Sequence, residues 1–136
     1  MQREILIQED YIDDPWKMLI CCILLNQTNN LQVRPILEKL FKLIPDPESA
    51  VTCSSDLISE VIKTTGLQNI KTSRIKRLSQ KWIDGYEDIK DLPGIGEYGK
   101  DSWEIFINKD LSILPRDTKL RSYLRDIKNP SLDEGI

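Results

Sequence analysis

Two short strings in this chain carry groups able to do chemistry: Leu92-Pro93-Gly94-Ile95-Gly96-Glu97-Tyr98-Gly99 and, downstream, Leu114-Pro115-Arg116-Asp117-Thr118-Lys119. In the first, Pro93 fixes the entry into a turn. Gly94 and Gly96 permit positive φ and let the main chain come close to a ligand. The amides of Ile95 to Glu97 then point outward at the start of a helix, where the dipole favours an anion such as a phosphate. In the second string, Asp117 follows the helix that this hairpin opens. It has two readings. As an N-cap it satisfies free amides of the next helix, worth on the order of 1 kcal/mol. As a reactive carboxylate it stabilises a developing cation or activates a water. The two are compatible, because amides at a helix start favour the charged form of a carboxylate.

The elements that must position these groups read as nearly all helix, without a period-two strand. Asp13 and Asp14 can cap a helix with Pro15 in its first turn, and Trp16 to Leu25 is apolar almost all round, so this helix is central and buried. Asn26 to Asn30 breaks it. A second helix is expected from about Leu31 to Ile44, with Pro35 delaying or bending its start. Asp46-Pro47 opens a short helix, and Asp56 to Thr64 forms another that stops at Gly66. Lys71 to Ile83 is amphipathic, with Ile75, Leu78 and Trp82 on one side and basic residues on the other, ending at Gly85. A short turn near Glu87 to Lys90 precedes the hairpin. A helix from about Tyr98 to Asn108 turns Trp103, Phe106 and Ile107 inward, and Asp117 caps a last helix to about Ile127.

With 136 residues and 40% apolar content, the chain is one unit with a core of its own. No apolar run is long enough to span a bilayer, and Met1-Gln2-Arg3-Glu4 does not begin a signal peptide, so an intracellular location is expected. Cys21 and Cys22 are adjacent in an apolar run and Cys53 stands alone, which reads as reduced, mostly buried thiols. There is no histidine, which removes histidine-activated nucleophiles and the usual zinc sites. Net charge is −3, yet Val61 to Ile83 carries six basic residues (Lys63, Lys71, Arg74, Lys76, Arg77, Lys81) and no acid. Such a face can bind a polyanion locally; otherwise it is a solvated helix face.

Several strings together resemble one known family. Asp14-Pro15-Trp16-Lys17-Met18-Leu19-Ile20, Leu24-Leu25-Asn26-Gln27-Thr28, Gly66-Leu67, the hairpin through Ser102, and Pro115-Arg116-Asp117-Thr118-Lys119-Leu120 are similar to the helix-hairpin-helix DNA glycosylase superfamily. Within it, they are most like the C-terminal glycosylase domains of the methyl-CpG-binding domain protein four family. The strings span nearly all of the chain; the methyl-CpG-binding domain itself has no counterpart here. The resemblance implies an all-α, two-lobed fold with the active site in the cleft between lobes. It implies a single domain over 1–136, with a helical lobe at about 15–103 and a second lobe from about 1–14 plus 104–136.

For activity, the resemblance implies a monofunctional DNA glycosylase. It would hydrolyse the N-glycosidic bond of thymine or uracil mispaired with guanine in double-stranded DNA. Asp117 is then the catalytic carboxylate, and Gly94, Ile95, Gly96 and Glu97 form the phosphate-binding hairpin. Tyr98 stands where bifunctional relatives place a Schiff-base lysine; a tyrosine forms no imine, so no strand cleavage is expected. Tyr98 and Gln8 would line the base pocket, with Lys119 on the pocket or a phosphate. Extruding a base requires something to fill the gap. Leu67 matches the family's wedge leucine. Gln27 also reaches the duplex but stands where close relatives carry arginine, and it loses that charge contact. The four-cysteine iron–sulfur pattern is absent, so no cluster is expected; a monovalent or magnesium ion held by hairpin carbonyls fits this fold. The expected partner is duplex DNA bearing a mispaired or damaged base, bound by a monomer without a membrane, in the nucleus of a eukaryote or otherwise in the cytoplasm. The rivals are a non-catalytic helix-hairpin-helix DNA-binding module, a glycosylase for another modified base, and an inactive scaffold.

Overall fold

The computed structural model describes residues 3–129, and among them there is no β-strand. Helix α1 (Pro15–Leu24) is the hub. Asp14 caps it by accepting from the Lys17 amide at 3.2 Å, and Pro15 occupies its first turn. Eight of its ten residues are buried, from Trp16 through Leu24, as an all-round apolar helix requires. Trp16 keeps its indole N–H satisfied inside the core by donating to Ser79 Oγ at 3.0 Å. The N-terminal segment lays a 3-10 helix (Ile7–Tyr11) across α1, burying Ile7 and Gln8.

The single helix expected over 31–44 is in fact broken. Asn29 caps α2 (Asn30–Val33), a 3-10 turn follows at Arg34–Ile36, and α3 runs Leu37–Leu43. Pro35 lacks an amide hydrogen and obstructs the preceding turn, which accounts for the break. Helices α4 (Pro47–Thr52) and α5 (Ser55–Ile62) follow, then a 3-10 turn at Lys63–Thr65. Gly66 ends it at φ +80°, a left-handed conformation that glycine adopts without steric cost.

Helix α6 (Gln68–Asp84) is the longest and starts earlier than its amphipathic pattern suggests, with Leu67 as its N-cap. It packs on α4, α5 and α1 through Ile75 and Leu78. Trp82, Tyr86 and Trp103 form an aromatic group at its far end, with ring centroids 5.2 and 6.2 Å from Trp82. Helix α7 (Glu97–Ser102) passes without interruption into a π-helical turn at Trp103–Ile107, where Phe106 is buried and Trp103 and Ile107 are half-buried. Helix α8 (Thr118–Lys128) closes the described fold and buries Leu120 and Leu124. No helix of the described residues is long and apolar enough to cross a membrane.

Candidate active site

The end of α1 with its following loop, one face of α6, the hairpin, the start of α7 and the start of α8 wall a cleft of about 870 Å³. The hairpin enters it as expected, but its two glycines differ. Gly94 has φ +79°, and a Cβ there would press to 3.1 Å on Arg74 Cβ, so it makes the turn and lets the hairpin sit against α6. Gly96 is extended at φ −93° and ψ −168°, which corrects the expectation of positive φ: one left-handed residue suffices for this turn. A Cβ at Gly96 would meet only open space, the room a ligand backbone needs to approach. Among the described residues no side chain caps α7, so the first amides of the helix, from Glu97 onward, lie in the cleft wall without a side-chain partner there. Gly99, whose role no local pattern shows, holds the hairpin on its helix; a Cβ there would lie 2.9 Å from Ile95 Cγ2.

Asp117 lies in the same wall, half-buried, and caps α8 through Oδ2, which accepts from the Leu120 amide at 2.9 Å. Among the described residues Oδ1 receives no hydrogen bond, so the cap uses one carboxylate oxygen and leaves the other to the cleft. Tyr98 faces this cleft as well. Gln8, buried to 1% exposure, sits behind Tyr98 and not on the cleft wall. Its Nε2 donates to Tyr98 Oη at 2.6 Å and to Ser102 Oγ at 3.1 Å. Burial pushes the Tyr98 phenol far above its ordinary pKa, reinforced by Cys22 and Asp117 and opposed by the Gln8 hydrogen bond, so it stays neutral. Cys22 and Ser102 are additions to the expected set. Cys22 lies at the cleft with its thiol pushed up to about 12 by burial, a neutral and unreactive group.

The two expected wedge residues share an unusual backbone. Gln27 has φ +58° and Leu67 φ +51°; both are exposed, and with Lys109 they are the non-glycine residues of positive φ among those described. A left-handed non-glycine residue costs roughly 1–2 kcal/mol, and such strain concentrates where a side chain has a task. Gln27 lines the cleft, and Leu67 stands at the head of α6, 38% exposed.

The six basic residues of 61–83 do not form one face. Lys71 is fully buried and turned into the protein, donating to Leu24 O at 2.8 Å and Thr65 O at 2.7 Å; desolvation, with Arg74 nearby, pushes its pKa down to about 8. Lys76 is tied to Val51 O at 2.9 Å and to Cys53 O, and Lys63 pairs with Glu60. Arg74 and Arg77 are the members that line the cleft. At the opposite rim, Lys119 lines the cleft and holds Glu4 at 2.7 Å, while the second oxygen of Glu4 accepts from Asn30 at 3.2 Å. Glu4 thereby clasps α8 to α2.

The chain is similar in sequence and fold to known proteins. The chain is 36% identical over 120 residues to the methyl-CpG-binding domain protein 4-like protein of Arabidopsis thaliana, covering 87% of this chain and 27% of that one. It is 27% identical over 93 residues to a thymine/uracil-DNA glycosylase of Pyrobaculum aerophilum, covering 62% of this chain and 40% of that one. The chain therefore spans less than half the length of these curated relatives. Among solved structures, a thermostable thymine-DNA glycosylase superposes with a TM-score of 0.64 at 29% identity, over 71% of this chain and 48% of its own. An endonuclease III bound to DNA gives 0.62 at 18% identity over 88% of this chain and 68% of its own, a likeness of fold. Residues 20–133 match the HhH-GPD superfamily of base excision DNA repair proteins, and the chain belongs to that superfamily.

Proposed function

We propose that this protein is a monofunctional DNA glycosylase that removes thymine or uracil mispaired with guanine in duplex DNA. The observation that carries the reading is the position of Asp117: a carboxylate with one oxygen left open, in the same cleft as Tyr98 and the hairpin. The curated relatives named for thymine and uracil excision support the choice of base. Hairpin amides with Arg74 and Arg77 hold the phosphates, while Leu67 and Gln27 enter the duplex as the nucleotide leaves the stack. The base lies against neutral Tyr98. As the bond between sugar C1′ and base N1 breaks, its electron pair leaves with the base, and Asp117 stabilises the cationic sugar. Water then adds to C1′, delivering its proton to the carboxylate or to solvent. The test is an excision assay on duplexes bearing thymine, uracil and oxidised or modified pyrimidines opposite guanine or adenine. Excision confined to another modified base would redirect the substrate; no excision from any duplex would leave a DNA-binding module.

Tyr98 in place of an amine means that the enzyme makes no imine. Borohydride is expected to trap no protein–DNA adduct, and strand breaks should appear only after alkali. A trapped adduct would mean that another amine, Lys100 or Lys119, attacks the sugar. The thiols do not fit an iron–sulfur cluster either: Cys21 and Cys22 are buried within α1, Cys53 follows α4, and no three metal-ligating side chains converge among the described residues.

The phosphate grip predicts a steep salt dependence. Each neutralised phosphate contributes about 0.9 to the slope of log affinity against log salt, so Arg74→Glu with Arg77→Glu should lower that slope by about 2 for every sequence. Filter binding or fluorescence anisotropy across a salt series reads this directly. An unchanged slope would show that these arginines only solvate α6.

A further inference from the structure

Lys71 is fully buried, and the mechanism above does not use it. Among the described residues its ammonium has no carboxylate partner; it donates to three neutral oxygens, Leu24 O at 2.8 Å, Thr65 O at 2.7 Å and Thr65 Oγ1 at 3.4 Å. Those acceptors are not scattered. Leu24 is the last residue of α1, and Thr65 is the last residue of the 3-10 turn that continues α5. Both are helix C-termini, where unpaired carbonyls and the dipole favour a cation. Each is followed within three residues by an exposed side chain on left-handed backbone, Gln27 after Leu24 and Leu67 after Thr65. One buried charge thus stands at the root of both loops that would enter DNA.

We propose that Lys71 is a positioning residue that fixes the two penetrating loops relative to each other, so that Leu67 and Gln27 engage the duplex together when the base is extruded. The inference rests on the glycosylase reading for its activity readout, but the bridge itself does not. Lysine suits the task because one ammonium can donate along three directions to carbonyls on different elements. Without the ammonium, two buried carbonyls lose their donor, and each loop relaxes on its own.

The experiment compares the full chain with Lys71→Met on two DNA substrates: uracil paired against guanine in a duplex, and the same uracil unpaired in a single-nucleotide bulge, where extrusion costs less. Single-turnover excision from the paired site should fall by about 10- to 100-fold, with the bulged site changed by less than about threefold, as expected for loops misplaced by an ångström. In parallel, hydrogen exchange should accelerate at the Asn26, Thr28 and Gly66 amides, which are hydrogen-bonded next to the bridge, and stay unchanged in the middle of α6. An equal loss on both substrates, or exchange raised throughout the protein, would make Lys71 a stabilising residue only and overturn the proposal. Should Lys71→Met not fold, Lys71→Gln, which keeps an amide donor, carries the same comparison; failure of both to fold also overturns it. If the wild-type chain excises neither uracil, the glycosylase reading fails, and local against global exchange still decides the role of Lys71.

Discussion

Asp117→Asn is expected to keep the fold and the affinity for duplex DNA while lowering single-turnover excision by about a thousandfold or more, on the order of 4 kcal/mol of transition-state stabilisation. The separation of effects follows from geometry. The cap needs only an oxygen that accepts from the Leu120 amide at 2.9 Å, and an asparagine carbonyl supplies one; asparagine is as good an N-cap as aspartate. What the substitution removes is the negative charge carried into the cleft by the second oxygen. A developing sugar cation in a partly water-excluded site responds to a full charge more strongly than to one neutral dipole, whose loss typically costs about 100- to 1000-fold. Asp117→Ala adds the loss of the cap, about 1 kcal/mol of stability, so its melting temperature should fall while that of Asp117→Asn does not. Near-normal excision by Asp117→Asn would reduce the residue to a helix cap and restore the non-catalytic reading.

The second large effect is expected at the pair behind the cleft. Gln8→Ala removes a buried amide that donates to both Tyr98 Oη and Ser102 Oγ. It leaves a cavity and two hydroxyls short of a donor, and the expected cost is about 2–4 kcal/mol of stability. Excision should fall about 10- to 100-fold, because the ring against which the base rests is no longer held. Tyr98→Phe keeps the ring and removes the hydroxyl, orphaning the Gln8 donor from the other side. The measurement is the relative rate on thymine, uracil and 5-hydroxymethyluracil opposite guanine for Gln8→Ala, Tyr98→Phe and Leu67→Ala. The pair should shift the ratios among bases, whereas Leu67→Ala should lower all three together, because the wedge acts on extrusion and not on the extruded base. If every variant scales all three bases equally, Gln8 and Tyr98 are supports for the fold and specificity lies elsewhere.

Local chemistry was legible and tertiary orientation was not. Asp14 with Pro15, Gly66, Gly85, the hairpin and the Asp117 cap each depend on a few neighbouring residues, so their positions follow from residue type. The resemblance to glycosylases supplied the meeting of Gln8 with Tyr98, which no local pattern shows. Charge groups Lys71 with its basic neighbours on an outward face, polyanion-binding or solvated, although the signal against this is present: Lys71, Ile75, Leu78 and Trp82 fall on one helical stripe, and that stripe is the buried one. Charge outweighed periodicity in that reading, and two helix ends able to receive an ammonium lie far away in sequence. Cys22 was read as core alone because an apolar helix gives no hint of which buried residue borders a cleft. Gly99 was hidden by its own hairpin, since its necessity depends on where the Ile95 side chain rests.

The contacts that complete the cleft also set a chronology. Gln8 meets Ser102 across 94 residues, and Glu4 meets Lys119 across 115. The segment around Glu4 and Gln8 thus waits for nearly the last described helices before it finds its partners, and closing loops of that length comes late in folding. Until then the Glu4 clasp between α2 and α8 stays open, although the ring of Tyr98 and the amide of Gln8 that steadies it are already present. A chain that stops before α8 would keep the hairpin but lack the Leu120 amide that Asp117 caps and the lysine that Glu4 holds. On the glycosylase reading, competence to excise a base would require a chain that extends through α8.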